Sequence, residues 1–523
     1  MSLKRKRSES KKEDKELIEQ VRKWEANVLG KQQNLNDVLE ILKVAKGASV
    51  EASFVAINAL GRIFSGLLSK GLMNRTKDSK KLAESAAAQV ADWLRDNYND
   101  YVGLLKTQLE HSDAAMQVMA AKILMQLMQH EGANLGRLAG GYDFPNEMLQ
   151  AVLQTVLASE SPSDHLVRTL VDAYIDSYDD VRLYFYRGVA RMLAGEMAGD
   201  DAVVRNVFAV MTAIRSVPHK DSSEYGSFWV DPPAEADRQQ LAVGNAQQHQ
   251  KAFTEAWLGL MRQRLDVSMY KQILLRLHKR IIPHMVEPRR LMDFLTSAYD
   301  AGGPVSLLAL NGLYTLIGEH NLNYPLFYEK LYALVDRSLF HVRYRARFFR
   351  LLEVFLGSSH LPAYLIAAFI KRITRLALSA PPSGVVVAIP VVYNLLKAHP
   401  ACMVLIHRMP GYDEATGEEA AMADDPYDAL ERDPAKCNAL QSSLWEMATL
   451  QTHYYPNIAT LARIFNEPFH KPTFLLEDFL DHTYSTFFES DTARTPKKAP
   501  ALAVQPPTAL FRAGDAVTEF MSF

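Results

Sequence analysis

Apolar residues recur at helical period along most of this chain, and no other feature of the sequence restricts its fold as much. Met116, Met119, Ala120, Ile123, Leu124 and Leu127 follow i, i+3, i+4, i+7, i+8, i+11. Ile57, Leu60, Ile63, Phe64, Leu67 and Leu68 do the same, as do Phe348, Leu351, Leu352 and Phe355. Alternating apolar and polar runs, the mark of half-buried strands, are scarce. Val385 to Val392 is the one β-branched run that suits a buried strand as well as a helix, and it is read here as a helix. Pro145, Pro162, Pro304, Pro325 and Pro362 each precede an apolar run, where a first helical turn tolerates proline. Successive segments such as Ser163 to Ser177, Asp180 to Leu193 and Asp201 to Ile214 are joined by loops short enough to require antiparallel neighbours. An amphipathic pair cannot bury its stripe alone, so pairs repeating every ~40 residues must stack on one another. The expected fold is an all-α, HEAT/armadillo-like α-solenoid of antiparallel helix pairs, with two compact helical domains as the alternative.

At 523 residues the chain is too long for a single growing core, and 48% hydrophobic against 23% charged residues is the balance of a folded protein. Breaks in the periodicity suggest the organisation. Residues 1–30 form a basic N-terminal tail and a first helix, and residues 31–217 form N-terminal helical repeats. Pro218, Gly226, Pro232 and Pro233 interrupt the pattern, so 218–250 reads as a linker. Residues 251–490 make a C-terminal helical domain, interrupted at 413–433 by nine Asp/Glu and a single basic residue, Arg432, which reads as a mobile acidic loop. Residues 491–523 are rich in Pro, Ala and Thr and read as a tail.

The residues that carry chemistry are missing their partners. No phosphate-cradling glycine loop, dinucleotide fingerprint or nucleophile elbow is present. His130-Glu131 begins like a zinc-protease helix, yet Asn134 stands where the second imidazole must be. His399, His407 and His453 read as capping or partly buried side chains, with His399 closing a helix ahead of Pro400. Cys402 and Cys437, the two cysteines, read as small apolar residues. No catalytic residue, cofactor, metal or small-molecule substrate is therefore expected. Pro362 to Ile370 and Gly384 to Val392 are too short to span a bilayer, so no membrane partner is expected either. Lys4, Arg5, Lys6 and Arg7 form a basic cluster that reads as a nuclear import signal or as an ordinary solvated tail.

Net charge is −2, so electrostatic binding has to come from local segregation. Between Arg337 and Arg375 eight Lys/Arg face one acid, Glu353. Arg343, Arg347 and Arg350 fall at i, i+4, i+7 opposite Phe348, Leu352 and Phe355, and Lys371 and Arg375 repeat that spacing beside Arg372. Two readings stand. The cations form a ledge for RNA phosphate or an acidic peptide, with Lys371, Arg372 and Arg375 the exposed candidates for contact, or they pair with acids elsewhere in the fold, including those of 413–433.

The stretch from Phe327 to Arg408, with RARFFRLL, HLPAYL and YNLLKAHP inside it, resembles the nucleolar complex protein four branch of the CCAAT-binding-factor family. DPYD at Asp425, DPAKCNALQSSLWEM from Asp433, HYYPNIATLARIF from His453 and FLDHTYSTFF from Phe479 extend the resemblance, while residues 1–217 carry none. Arg345, Phe348, Phe349, Tyr393, Asn394, Leu395, Leu396, His399 and Pro400 belong to this signature, and its apolar members read as core before they read as contact surface.

The resemblance implies a non-enzymatic scaffold of the small-subunit processome in the nucleolus, with 251–490 as its family-type repeat domain. It also implies a heterodimer with nucleolar protein fourteen formed through the C-terminal half, and neighbourhood to other processome proteins and pre-rRNA. Two rivals come from other classes. A solenoid-type nuclear transport receptor or adaptor would bind partners in response to a small GTPase, and an RNA-modifying or RNA-cleaving enzyme would need a cleft of converging acids and bases.

Overall fold

The computed structural model describes residues 2–30, 34–47, 49–73, 86–135, 142–160, 162–195, 197–230, 240–320, 326–342, 344–407, 411–412, 419–420, 424–493, 495 and 520. The fold is all-α. Its only paired strands among the described residues are Gly411–Tyr412 and Glu419–Ala420, a two-residue antiparallel ladder. The chain divides into two compact units, Met1–Asn323 and Tyr324–Phe523.

The first unit is a succession of packed helices: α1 (Ser2–Gly30), α2 (Asp37–Ala45), α3 (Val50–Ser69), α4 (Ala86–Leu109), α5 (Ala114–Leu135), α6 (Asn146–Ala158) and α7 (Asp164–Leu170). They are followed by α8 (Asp179–Ala194), α9 (Asp201–Ala213), α10 (Ala246–Met261), α11 (Val267–Arg276), α12 (Met292–Asp300) and α13 (Gly303–His320). Helix α1 packs on α2 and α3, α3 on α5, α5 on α4 and α7, α6 on α8 and α9, and α8 on α10, as a stacked array requires. Single π turns extend α7 through Val171–Ile175 and α11 through Leu277–Ile281.

The stripes read from the sequence are the buried faces. Ile57, Leu60, Ile63 and Phe64 of α3 are fully buried, and so are Ala120, Leu124 and Leu127 of α5. Ser49 caps α3 by accepting from the Ala52 amide, and Tyr101 of α4 donates to the Ile57 carbonyl at 2.6 Å while stacking on Phe64. Helix α3 is also long and apolar enough to cross a membrane, a length the sequence reading did not credit to any run. Its small residues hide that length, and its apolar face lies against α1, α2 and α5 as a core helix does.

Residues 218–250, read from the sequence as a linker, sit within the first unit. Tyr225 and Val230 are buried there, Trp229 lies edge-on against Tyr174 and Tyr178, and Asn245 caps α10. The division between units falls at Asn323, because α10 lies along α8 and α13 packs on α11 and α12.

The second unit contains α14 (Phe327–Leu334), α15 (Arg345–Leu356), α16 (Ala363–Ala377), α17 (Pro382–Ala398), α18 (Trp445–Leu450), α19 (Pro456–Ala462), α20 (Glu477–Leu480) and α21 (Tyr484–Ala493). Helix α17 is its axis: every residue from Ser383 to Leu396 is buried, which settles Val385 to Val392 as helix. Packing against α15, α16, α19 and α20 surrounds this helix with side chains, a position where β-branched residues are accepted on apolarity alone.

Candidate functional site

The basic block of the second unit is built on α15 and α16. Helix α15 buries Phe348, Phe349, Leu352, Phe355 and Leu356, which leaves Arg347 and Arg350 on its outer side. Arg350 makes a two-pronged pair with Glu477, 2.6 and 2.7 Å, and so fastens α20 to α15. Arg345 donates to the His482 carbonyl at 2.6 Å, and burial lowers its pKa, as it does for Arg347. The helix begins at Arg345, and Arg343 lies outside the described residues. The side chains of Lys4, Arg5, Lys6 and Arg7 also lie outside them, on the helical backbone of α1.

Lys371, Arg372 and Arg375 do not form the exposed ledge that their spacing suggests. Lys371 is 0% exposed. Its ammonium lies 2.7 Å from Glu446, 3.0 Å from Asp425 and 2.6 Å from the Ser443 carbonyl. Arg375 stands over the Trp445 ring at 4.7 Å with Glu446 3.5 Å away. Arg372 donates to the Val335 carbonyl at 2.6 Å and lies over Tyr332 at 4.3 Å. The helical spacing was right, but the sequence alone could not show that residues 425–446 cover this face.

That covering segment starts in the acidic stretch, where Asp425 and Tyr427 are anchored to Lys371 and Tyr332 while Asp428, Leu430 and Arg432 are exposed. Tyr427 is buried with its hydroxyl 2.9 Å from that of Tyr332. Burial alone would raise the Asp425 carboxyl, but Ser442, Trp445, Lys371 and the Tyr427 amide donate to it and bring it down to about 2. Burial pushes the Glu446 carboxyl up, against the opposing pull of Lys371 and Arg375. Residues 413–418 and 421–423 lie outside the described set.

The remaining signature residues are core and clamp. Phe348 and Phe349 meet edge to face at 5.7 Å, and Leu395 and Leu396 are buried. Tyr393 stacks on Phe469 at 4.8 Å and donates to the Lys471 carbonyl at 3.1 Å. Asn394 donates to the Phe474 carbonyl and accepts from its amide, both at 2.8 Å, as a strand partner would. His399 closes α17 with its ring bonded to the Leu356 carbonyl at 2.8 Å, and Pro400 opens the 3₁₀ turn Pro400–Leu405. His453 accepts from the Tyr455 amide at 3.0 Å, and His407 is exposed. Cys402 and Cys437 are buried free thiols, the first pushed up to about 11 by burial.

Each unit carries an open cleft among its described residues. In the first unit a cleft of about 600 Å³ is lined by Asn58, Val118, Met119, Lys122, His165 and Thr169. In the second, about 510 Å³ lies between α15 and the start of α21, lined by Phe340, Arg345, Ser383, Asp481 and Tyr484. Among the described residues no three His, Cys, Asp or Glu are grouped so as to hold a metal. Both clefts are open troughs in which apolar and polar side chains are mixed.

Two family models match the chain. Residues 306–462 match the CBF/Mak21 family, and residues 9–198 match the repeats described as "Nucleolar complex protein 4-like, TPR repeats". The second match falls where the sequence carried no resemblance by eye. The chain is similar to the nucleolar complex protein 4 homolog of Mus musculus, 36% identical over 94% of this chain and 95% of that protein. The homolog of Homo sapiens is 37% identical over 89% and 90% respectively. An uncharacterized protein of Schizosaccharomyces pombe is 39% identical over 92% of this chain and 96% of its own length.

Proposed function

Because the chain belongs to the CBF/Mak21 family, in its nucleolar complex protein 4 branch, we propose that it is a nucleolar, non-catalytic scaffold in assembly of the small ribosomal subunit. The observation that carries this reading is likeness at 36% identity over 94% of the chain to a protein named for a nucleolar complex. The site geometry agrees with it. Lys371, Arg372, Arg375 and Arg350 in the family-matched block are engaged in holding the second unit together.

In this reading the second unit docks nucleolar protein fourteen, the first unit adds further docking surface, and both act within the small-subunit processome during processing of pre-rRNA. Its work is positioning, with affinity drawn from buried apolar anchors and specificity from charge at the rim. Coexpression of the full chain with nucleolar protein fourteen tests it. The expected result is a complex that stays together through gel filtration at elevated salt, and a cell depleted of the chain accumulates unprocessed precursor of the small-subunit rRNA. If the two proteins elute separately, the docking model is wrong.

A further inference from the structure

Among the described residues of the second unit, helix α21 is a surface helix with no buried residue. Tyr484, Phe487 and Phe488 fall at i, i+3, i+4 and form its apolar stripe. Only the middle ring is partnered: Phe487 meets Tyr455 at 5.4 Å and stacks on His482 at 5.2 Å. Tyr484 is 63% exposed and Phe488 70%. In the neighbouring α18–α19 connection, Tyr455 supplies that contact, and Tyr454 beside it is 78% exposed and stacked on His453. Aromatic rings clustered this openly are uncommon on a surface that meets only water, and they mark a place where something binds.

Charge selects what binds. From 472 to 493 the sequence holds Glu477, Asp478, Asp481, Glu489 and Asp491 and not one Lys or Arg. Of these, Glu477 is held by Arg350, which also lies 4.0 Å from Asp481, and Asp478, Glu489 and Asp491 are exposed. Exposed rings also stack on nucleic acid bases, but single-strand sites set such rings in a cationic groove, and this rim would repel phosphate. Among the described cations, Arg345 and Arg350 of α15 are turned to the His482 carbonyl and Glu477.

We propose that the α21 face, with Tyr484 and Phe488 as anchors, receives an amphipathic, Lys/Arg-rich helical segment of a partner protein. Apolar side chains of that segment cover the two rings, and its cations meet the acidic rim. The proposal rests on the docking role proposed above and assigns it a surface.

The test uses the full chain and a fluorescent helical peptide with a leucine face and lysines elsewhere, beside its glutamate counterpart and oligouridylate. The lysine peptide is expected to bind, to weaken as salt rises, and to bind about tenfold less tightly to Tyr484→Ser/Phe488→Ser. Asp478→Lys/Asp491→Lys, which leaves the rings in place, is expected to weaken it comparably, and the glutamate peptide is expected not to bind. Matching circular dichroism and melting of each variant exclude unfolding as the cause.

Unchanged binding by the ring variant overturns the proposal, and so does oligouridylate binding that depends on the same rings. A tenfold gain on deleting 494–523 also overturns it, by making the chain's own tail the occupant. Sedimentation with pre-ribosomal particles separates the two levels. If the wild-type chain fails to sediment with them the scaffold reading itself fails, whereas particle association that survives the ring variant removes only this surface.

Discussion

Lys371 shows what a buried charge does in this protein. Its ammonium, Glu446 and much of Asp425 are withdrawn from water together, so each is acceptable only while the others stay. Lys371→Met should cost about 3–5 kcal/mol in urea unfolding of the second unit, because it leaves a carboxylate buried and unpaired. Lys371→Met/Glu446→Leu should recover most of that loss; a double variant as unstable as the single would mean that the ammonium acts through Asp425 or the Ser443 carbonyl. In the first unit, His249 is the titrating residue to follow. Burial brings its pKa from 6.5 down to about 4, with one ring nitrogen donating to the Val243 carbonyl at 2.8 Å and the ring stacked on Tyr225. A histidine lowered on folding binds its proton more readily in the unfolded chain, so stability is full above 6.5 and falls as pH drops toward about 4. Between pH 7 and 5 the loss should reach about 2 kcal/mol in the wild type. His249→Gln, which keeps a donor for Val243, should flatten that slope, and an unchanged slope would assign it to other groups.

At the scale of elements, the segment before Val230 is the clearest case of structure hidden in polar sequence. Asp179 accepts from the Gly226 and Ser227 amides at 3.1 Å and pairs with Arg182, while Asp180 accepts from the Trp229 and Val230 amides at 2.9 and 3.0 Å and from Tyr142 at 3.0 Å. Two aspartates opening α8 thus bind a strap of backbone across the helices. Gly132 of α5 lets it lie close, since a Cβ there would stand 2.7 Å from Val230. Asp180→Ala strands those amides, and the expected cost is about 2–4 kcal/mol with new protease cleavage between 218 and 230. Resistance to protease in that variant would show that Trp229, wedged between Tyr174 and Tyr178, holds the strap by itself.

The helices themselves were legible because period 3.6 is written in single residues: α8 and α9 fall within one residue of their expected limits, Asp180 to Leu193 and Asp201 to Ile214. The strap and the 425–446 cover were not, because each is held by side chains acting on a segment distant in sequence, and periodicity records nothing of such pairs. The same blindness made Lys371 and Arg375 look exposed. A signal was present in the acids near Asp425, which the alternative reading had set against the basic block, but no spacing rule said which cation each would meet.

For the whole molecule, the decisive question is where it can be cut. The CBF/Mak21 match begins at 306, inside α13, whereas the compact units divide after Asn323. Leu310, Leu313 and Leu316 of α13 are fully buried, and a Cβ on Gly312 would stand 2.8 Å from Leu295 of α12, so this helix belongs by packing to the first unit. A cut at 250 is worse placed, since it severs α10 within its first turns and strips α8 of the helix against which Tyr186 meets Phe253 at 5.4 Å. Residues 1–323 and 324–523 should therefore each express as soluble protein with a cooperative thermal transition, while 1–250 and 251–523 should aggregate through the faces that α8 and α10 expose to water. Calorimetry of the four fragments checks this. If 306–523 unfolds cooperatively and 324–523 does not, α13 stabilises the second unit, and the boundary follows the family match instead of the packing.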